Sequence, residues 1–364
     1  MFLVNAFLAA GLALQGGPAA AASLPLESPP PAPAEVMEVP EALRSAFEAK
    51  VLDVTNAPEQ RLRRMVAFMF DKDGLNLKYR ADATNTVAES YRTREVNCLS
   101  FTLMAVALAR EAGMKAQGQQ IDRVMAWSLN GDTVMQTLHA NAVVTISGRD
   151  FMLDIASSRL YAAVMNYKVD DQQMLAAFYG NRAMEAMAAG RLPESKAWLD
   201  VAMKLTPGNA TLWNNAGVLS QRMGQEADAE RWFLQAAKQS PRLTSALYNL
   251  VALYHARRDA TRAAFWQERA DKILRSDPYY QFSVAERNAE AGNYDQAVRY
   301  YRRAISLDGR ERLFHFGLAQ AYAHLGKMDP AAKELDVAVR LTDKGIDRER
   351  LQAKLDALRG MAKR

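Results

Sequence analysis

The one cysteine of the 364-residue chain, Cys98, lies in a stretch whose residue types predict the start of a helix. Asn97 can accept hydrogen bonds from the free N–H groups of a first helical turn, so it is the predicted N-cap. Cys98 then takes the first helical position, where the helix dipole favours a thiolate, the form that acts as a nucleophile. Gly113 suits the left-handed residue that ends a helix. The alternative interpretation is that Cys98 is a small buried hydrophobic residue without chemistry.

A catalytic cysteine needs an imidazole as its base, and one of the four histidines, His139, lies near Cys98 in the chain. Asp154 interrupts an apolar segment after His139, and a buried carboxylate needs a partner. A two-residue turn at Ser147–Gly148 would set Asp154 opposite Asn141, where it is the diagonal neighbour of His139 on one sheet face. The other three histidines lie in a repeat region further along: His255, His315 and His324.

The elements that must position these residues are helices followed by strands, which is an α+β arrangement. Apolar residues recur with helical spacing after Cys98, which predicts an amphipathic helix; they are Phe101, Met104, Ala105, Leu108 and Ala112. Other predicted helices are Glu41–Asp53, Ala57–Phe70 and Thr84–Arg94. Predicted extended segments are Lys115–Asn130, Thr133–Gln136, His139–Ile146 and Asp150–Ile155, with a turn at Asn130-Gly131-Asp132 between the first two.

Three segments together resemble the transglutaminase-like fold of the papain-type superfamily: Thr93–Gly113 (TREVNCLSFTLMAVALAREAG), His139–Val144 (HANAVV) and Met152–Ala156 (MLDIA). The resemblance implies Cys98 as nucleophile, His139 as general base and then acid, and Asp154 as the group that orients the imidazole. It implies attack on an amide, followed by hydrolysis or by transamidation of a protein or peptide. Two departures are Asn97, where the family usually has glycine, and Asn141, where it often has an aromatic residue.

From about residue 176 the chain repeats with a fixed period of 34 residues. Small residues recur at this spacing, for example Ala202, Ala236, Ala270, Ala304 and Ala338. Glycine recurs at Gly190, Gly224, Gly292 and Gly326, with Arg258 in the remaining slot. The pattern resembles the tetratricopeptide repeat (TPR), in which each unit contributes two helices, and the array implies a groove for a protein or peptide partner. Asn181, Asn215 and Asn249 keep the period and are candidate peptide-binding residues, although asparagine is also common at this repeat position.

The start of the chain predicts export to the periplasm. Phe2–Leu14 is an apolar run followed by Ala20-Ala21-Ala22, a small-residue cleavage pattern, although no Lys or Arg precedes Arg44. The predicted organisation is then a signal-like segment (1–22), a Pro- and Ala-rich linker (23–40), an α+β transglutaminase-like domain (41–170), an all-α TPR solenoid of five repeats (176–209, 210–243, 244–277, 278–311 and 312–345), and a capping helix with tail (346–364).

Composition restricts the classes of function. The net charge is +5 and basic residues are spread along the chain, so no nucleic-acid site is expected. One cysteine excludes an intramolecular disulfide. No metal-ligand spacing, phosphate loop or nucleotide fingerprint occurs, so neither a metal nor a cofactor is expected, and after the signal-like segment no apolar run is long enough to span a membrane. Two hypotheses remain: an exported cysteine-dependent amide hydrolase or transamidase with a TPR array, or a non-catalytic TPR adaptor with a degenerate transglutaminase-like domain.

Overall fold

A computed structural model describes residues 29–130, 133–155, 166–342, 348 and 351–356, and within these ranges the side chains of 121–139 and 166 lie outside the description. The predicted signal-like segment 1–22 falls outside the described residues. Among the described residues up to 170, the elements are five helices, one π-helical segment and six strands. The helices are α1 Pro33–Val36, α2 Glu41–Phe47, α3 Pro58–Phe70, α4 Val87–Thr93 and α5 Cys98–Glu111. The strands are β1 Lys78–Tyr79, β2 Glu95–Val96, β3 Lys115–Asn130, β4 Thr133–Ile146, β5 Arg149–Leu153 and β6 Asn166–Val169.

Helix α5 begins and ends where the sequence predicts, but it is not amphipathic. Every residue from Leu99 to Ala109 is buried. Strands β3 and β4 pack on one side of α5, and α3, α4 and α6 (Asp171–Ala188) contact its other sides. A helix that is apolar all round is typical of a core helix. The prediction of an amphipathic helix is therefore wrong, because neighbouring elements cover α5 on all sides. At its end, Gly113 has φ +74° and its N–H donates to the carbonyl of Arg110, as a left-handed cap requires.

Behind α5 lies an antiparallel sheet with strand order β5-β4-β3-β6. Strand β4 is continuous, whereas the sequence predicted two separate segments. Ala142 and Val144 of β4 belong to the core that contains α5. Ser147 and Gly148 form the turn to β5, both with positive φ, which is the conformation that matches the twist of a two-residue hairpin. A second, two-stranded sheet pairs β1 and β2 in parallel, which the sequence reading did not predict.

Between residues 171 and 340, ten helices pair in order: α6 with α7, α8 with α9, α10 with α11, α12 with α13, and α14 with α15. Their bounds are α6 Asp171–Ala188, α7 Leu192–Leu205, α8 Ala210–Arg222, α9 Glu226–Gln239, α10 Thr244–Ala256, α11 Ala260–Arg275, α12 Pro278–Glu290, α13 Tyr294–Leu307, α14 Arg312–His324 and α15 Met328–Arg340. The first helices of the second to fifth pairs begin 34 residues apart. The predicted period is therefore confirmed.

Glycine allows close contacts between helices of the array at two positions. A Cβ added to Gly217 in α8 would lie 2.4 Å from the ring of Phe233 in α9, the other helix of its pair. A Cβ added to Gly317 in α14 would lie 2.5 Å from the ring of Tyr301 in α13, the second helix of the preceding pair. Side chains at these two positions would push apart helices that now touch, so the close contacts need glycine.

Helix α6 joins the array to the part of the chain that precedes it. Met174 packs so closely on β3 that a Cβ on Gly118 would lie 2.3 Å from its sulfur atom. Arg110 of α5 makes two hydrogen bonds, of 2.7 and 2.8 Å, to the carboxylate of Asp171. One hydrophobic core consequently runs from Val36 through α5 and the sheet to Ala270 in α11.

The predicted linker 23–40 is wrong for its described part. Val36 and Val39 are buried in the same core as α5, and the hydroxyl of Tyr179 donates to the carbonyl oxygen of Pro31 at 2.6 Å. The proline-rich composition gave no sign of these apolar anchors. The predicted helix Glu41–Asp53 changes to a π-helical segment at Glu48–Leu52. At the other end, residues 351–356 are helical and Leu355 packs against Leu335 and Val339, as expected of a capping helix.

Arg258 adopts a left-handed backbone conformation that normally favours glycine. It has φ +57° in the turn between α10 and α11, where the other four pairs have glycine. A left-handed residue other than glycine costs about 1–2 kcal/mol, and the extra freedom of glycine in the unfolded chain offsets about 0.5–1 kcal/mol of that. We therefore expect Arg258→Gly to raise the free energy of unfolding by about 0.5–1 kcal/mol, measured as a higher Tm. Gly224→Arg is the matched control and should lower the Tm. A lower Tm for Arg258→Gly would contradict this account.

Candidate functional site

The first turn of α5 has the geometry that the sequence predicts. Asn97 is extended, with φ −93° and ψ −175°, and its side-chain oxygen accepts a hydrogen bond from the N–H of Ser100 at 2.8 Å. Cys98 is the first helical residue and is half-buried. Its carbonyl oxygen accepts from the hydroxyl of Thr102 at 2.7 Å. The N-cap and the position of Cys98 are confirmed, while the role of Cys98 as a nucleophile stays a prediction.

A buried network of polar side chains fixes this cap to the loop before α4. The amide of Asn97 donates to the hydroxyl oxygen of Thr84 at 2.8 Å. The hydroxyl of Ser100 donates to the carbonyl of Ala83 at 2.9 Å and accepts from the N–H of Asn85 at 2.7 Å. Thr84, Asn97 and Ser100 are each at most 5% exposed. Because buried polar groups are costly when unpaired, this pairing holds the first turn of α5 in one orientation.

The first helix of the array reaches the same network. Arg182 of α6 donates to the carbonyl of Thr84 at 3.4 Å, and Glu185 of α6 is hydrogen-bonded to Thr84. Burial raises the pKa of the Glu185 carboxyl group, while the hydrogen bonds from Thr84 and the nearby Arg182 partly oppose that shift. The sequence places Glu185 in the first repeat but does not predict its contact with Thr84. No local pattern links it to a loop that precedes it by 100 residues.

His139 lies in β4, and Asp154 directly follows the last residue of the neighbouring strand β5. Strands β4 and β5 pair Ile146 with Arg149 and Ala142 with Leu153, so the next position in this register sets Asn141 opposite Asp154. The backbone of His139 lies in β4 opposite Ile121, and its side chain falls outside the described residues. Asp154 is half-buried at the end of β5. Whether the two side chains meet Cys98 stays a prediction.

The three periodic asparagines differ in environment. Asn181 of α6 is exposed and Asn215 of α8 is half-buried. Asn249 of α10 is 3% exposed, and its amide donates to the side-chain oxygen of Asn214 at 2.9 Å. The equal spacing therefore does not give three equivalent groups. Asn181 and Asn215 present amides to solvent, whereas Asn249 links two neighbouring helices.

The ring of His315, in the last helix pair, is fixed by neighbouring groups of the array. Its two ring nitrogens lie 2.7 Å from the Glu334 carboxylate and 3.1 Å from the carbonyl oxygen of Gly309. Burial alone would lower the pKa of His315, but these two acceptors outweigh it and the pKa lies above its ordinary value. This arrangement indicates a structural role for His315.

The described residues contain neither a metal-binding cluster nor a membrane-spanning helix. Among them, no group of three or more His, Cys, Asp or Glu side chains is arranged to hold a metal ion. No described helix is long and apolar enough to cross a membrane.

Comparisons with known proteins agree with the geometry of the array. Residues 285–346 match the family model of the tetratricopeptide repeat. The chain is 28% identical over 177 residues to cellulose synthase 2 operon protein C of Komagataeibacter xylinus, which is 47% of this chain and 13% of that protein. The match thus spans a small part of the relative's length.

Solved structures similar to the array include the tetratricopeptide protein YrrB and the protein PilF. YrrB, described as having an unusual peptide-binding site, shares 19% identity over 49% of this chain and 92% of its own, with a TM-score of 0.26. PilF of Pseudomonas aeruginosa shares 14% identity over 51% of this chain and 85% of its own, with a TM-score of 0.28. The family match and the helix pairs show that the chain carries tetratricopeptide repeats. The transglutaminase-like assignment of 41–170 stays a prediction.

The cap of α5 can be tested directly. Asn97→Ala removes the acceptor for Ser100 and leaves the buried hydroxyl of Thr84 without its donor. We expect a loss of about 1–2 kcal/mol of unfolding free energy, measured by chemical denaturation. Asn209→Ala is the matched control, because Asn209 caps α8 but is not buried, and it should cost about 0.5–1 kcal/mol. Equal losses for the two variants would contradict a special role for the Asn97 network.

Proposed function

We propose that this protein is a non-catalytic adaptor that binds an extended segment of a protein partner through its repeat array. The observation that carries the proposal is the uninterrupted run of five helix pairs from α6 to α15. Stacked helix pairs of this kind curve into a solenoid with an extended concave surface. We propose that the first helices of the pairs line this surface. Such a groove suits a partner that offers a length of chain rather than a compact domain.

Asn181 and Asn215 are the proposed contacts to the partner backbone. A side-chain amide both donates and accepts, so it can pair with a peptide N–H and C=O at once. The two asparagines lie on first helices, one repeat apart, and are not fully buried. Asn249 is not included because its amide is already bonded to Asn214.

We also propose that the adaptor acts outside the cytoplasm, in the periplasm. The apolar run Phe2–Leu14 and the small residues Ala20–Ala22 support this proposal. They lie outside the described residues, so the support is from sequence alone.

Selection of short random peptides on the full chain, followed by calorimetry, tests the binding function. We expect Asn181→Ala and Asn215→Ala each to weaken binding of an enriched peptide about 5-fold, since each removes about one net hydrogen bond. Lys196→Ala is the control, because Lys196 lies on the second helix of its pair and is exposed. Binding that is unchanged in both asparagine variants would contradict the proposed contacts, and the absence of any enriched peptide would contradict the adaptor function.

A second candidate function is cysteine chemistry on an amide bond. Two observations favour it. Cys98 is half-buried rather than sealed in the core. The 14 residues of α5 span about 21 Å, which equals about six strand residues. Because α5 passes into β3 at Lys115 and packs on β3 and β4, this length sets its first turn at about the level of Ile121 and of its backbone partner His139.

In that candidate, the Cys98 thiolate attacks an amide carbonyl and the carbon–nitrogen bond breaks. His139 gives the leaving amine its proton, and Asp154 orients the imidazole. The resulting thioester reacts with water, giving hydrolysis, or with a second amine, giving transamidation. The backbone N–H of Cys98 is one donor for the oxyanion.

Alkylation kinetics separate the two candidates. A catalytic Cys98 should react rapidly with iodoacetamide below about pH 7, and His139→Ala should slow that reaction by about 10-fold or more because the imidazolium no longer stabilises the thiolate. His324→Ala, which removes a histidine of the array, is the control and should have no effect. Slow alkylation that rises only at alkaline pH and ignores His139→Ala would exclude the cysteine chemistry and leave the adaptor.

A further inference from the structure

The long hairpin of β3 and β4 extends well beyond the four-stranded sheet. Pairing with β5 ends at Ala142, and pairing with β6 ends at Ile121. Among the residues that the structure describes, no third strand pairs with the ribbon from Val124 to Leu138. A two-stranded ribbon is at best marginally stable by itself in water, so this part needs another surface to pack against.

Helix α10, the first helix of the third pair, contacts β4, the second strand of this ribbon. Helix α10 also packs on α11, on α9 and on α8. These three helices occupy the sides of α10 that face its own pair and the preceding pair. The remaining side, where β4 contacts α10, is the side that we assign to the concave groove proposed above.

Burial along the groove shows a difference at the same place. Ser245, at the second position of α10, is 4% exposed. The residues at the same repeat position in the two preceding pairs, Thr211 and Ala177, are exposed. Among the first three pairs, this repeat position is thus buried only in the third, whose first helix contacts β4.

Element spacing agrees with this contact. Packed helices lie about 8–10 Å apart, so α10 is about 20 Å from α6, and this equals about six strand residues. Strand β3 meets α6 at Gly118, so six residues further is Val124 and its partner Leu138. The pairing shifts register on both sides of Val124. Such bulges increase the twist and bend a ribbon, which would direct it across the groove.

We propose that the distal part of this hairpin, Val124–Leu138, is an internal occupant of the groove at α10, and that a partner segment must displace it to bind there. Apolar residues of the hairpin suit this role: Val124, Met125, Trp127, Leu129, Val134, Met135 and Leu138. The proposal adds regulation to the binding function above and rests on it. The contact with α10, however, can be measured without any partner.

Cysteine labelling measures whether the hairpin covers α10. In a Cys98→Ser background, which has no other cysteine, Ser245→Cys and Thr211→Cys each introduce one thiol of nearly unchanged size. In the intact chain, we expect maleimide to label position 245 about 10-fold or more slower than position 211, because thiol reactivity follows exposure. Replacing residues 124–138 with an Asn-Gly turn should raise the rate at 245 about 10-fold and leave 211 unchanged. An unchanged rate at 245 would overturn the proposal.

Limited proteolysis gives a second measurement in which the hairpin keeps its full length. Arg123 is the one Lys or Arg between Lys115 and Arg149, so tryptic cleavage after it reports opening of the hairpin. Ser245→Glu places a charge where β4 would pack, and we expect it to accelerate this cleavage about 5-fold. Thr211→Glu is the matched control and should not change it. Equal rates in the two variants would count against the proposal. Because neither experiment contains a peptide ligand, both can succeed even if the adaptor function fails.

Discussion

The packing of α6 on two sides at once is the constraint on which the rest of the structure depends. One part of the helix lies on β3 and α5, through Met174 at Gly118 and Asp171 at Arg110. Its remaining surface packs with α7 and α8 and so begins the solenoid. Since a single hydrophobic core crosses this helix, the array cannot rotate freely relative to the sheet. The groove and the first turn of α5 therefore keep a fixed relation to each other.

This relation has two consequences for function. Arg182 and Glu185 of α6 contact Thr84, which in turn holds the cap of the Cys98 helix. Two hydrogen bonds, from Arg182 to Thr84 and from Asn97 to Thr84, thus connect the first repeat to the residue before Cys98. On the other side, the same docking directs the hairpin of β3 and β4 toward α10. The proposed adaptor would therefore combine its binding groove with a segment that competes for it.

Local features could be predicted from the sequence because their physical causes are local. The period of 34 residues, the Asn97 cap, the Gly113 stop and the turn at Ser147–Gly148 each follow from residue type and spacing. Tertiary features could not. The burial of α5 on all sides, the anchoring of Val36 in the core and the contact of β4 with α10 join residues far apart in the chain, and no short pattern encodes them. The catalytic roles of His139 and Asp154 are still predictions that rest on the resemblance to the transglutaminase-like fold.

At Arg258 the residue type alone is a poor predictor of the backbone conformation. Arg258 stands where the other four pairs have glycine, yet its backbone takes the same left-handed conformation. Packing of α10 on α11 fixes the turn, so the tertiary structure imposes a conformation that the residue itself disfavours. The repeat pattern was therefore a better guide to the backbone than the single residue was.

Hydrogen exchange of the full chain with and without a selected peptide tests the central claim most directly. If the array is the binding surface and the hairpin its internal occupant, the peptide should slow exchange in α8 and α10 and accelerate it in residues 124–138. Protection confined to the first turn of α5, with no change in the array or the hairpin, would contradict the account.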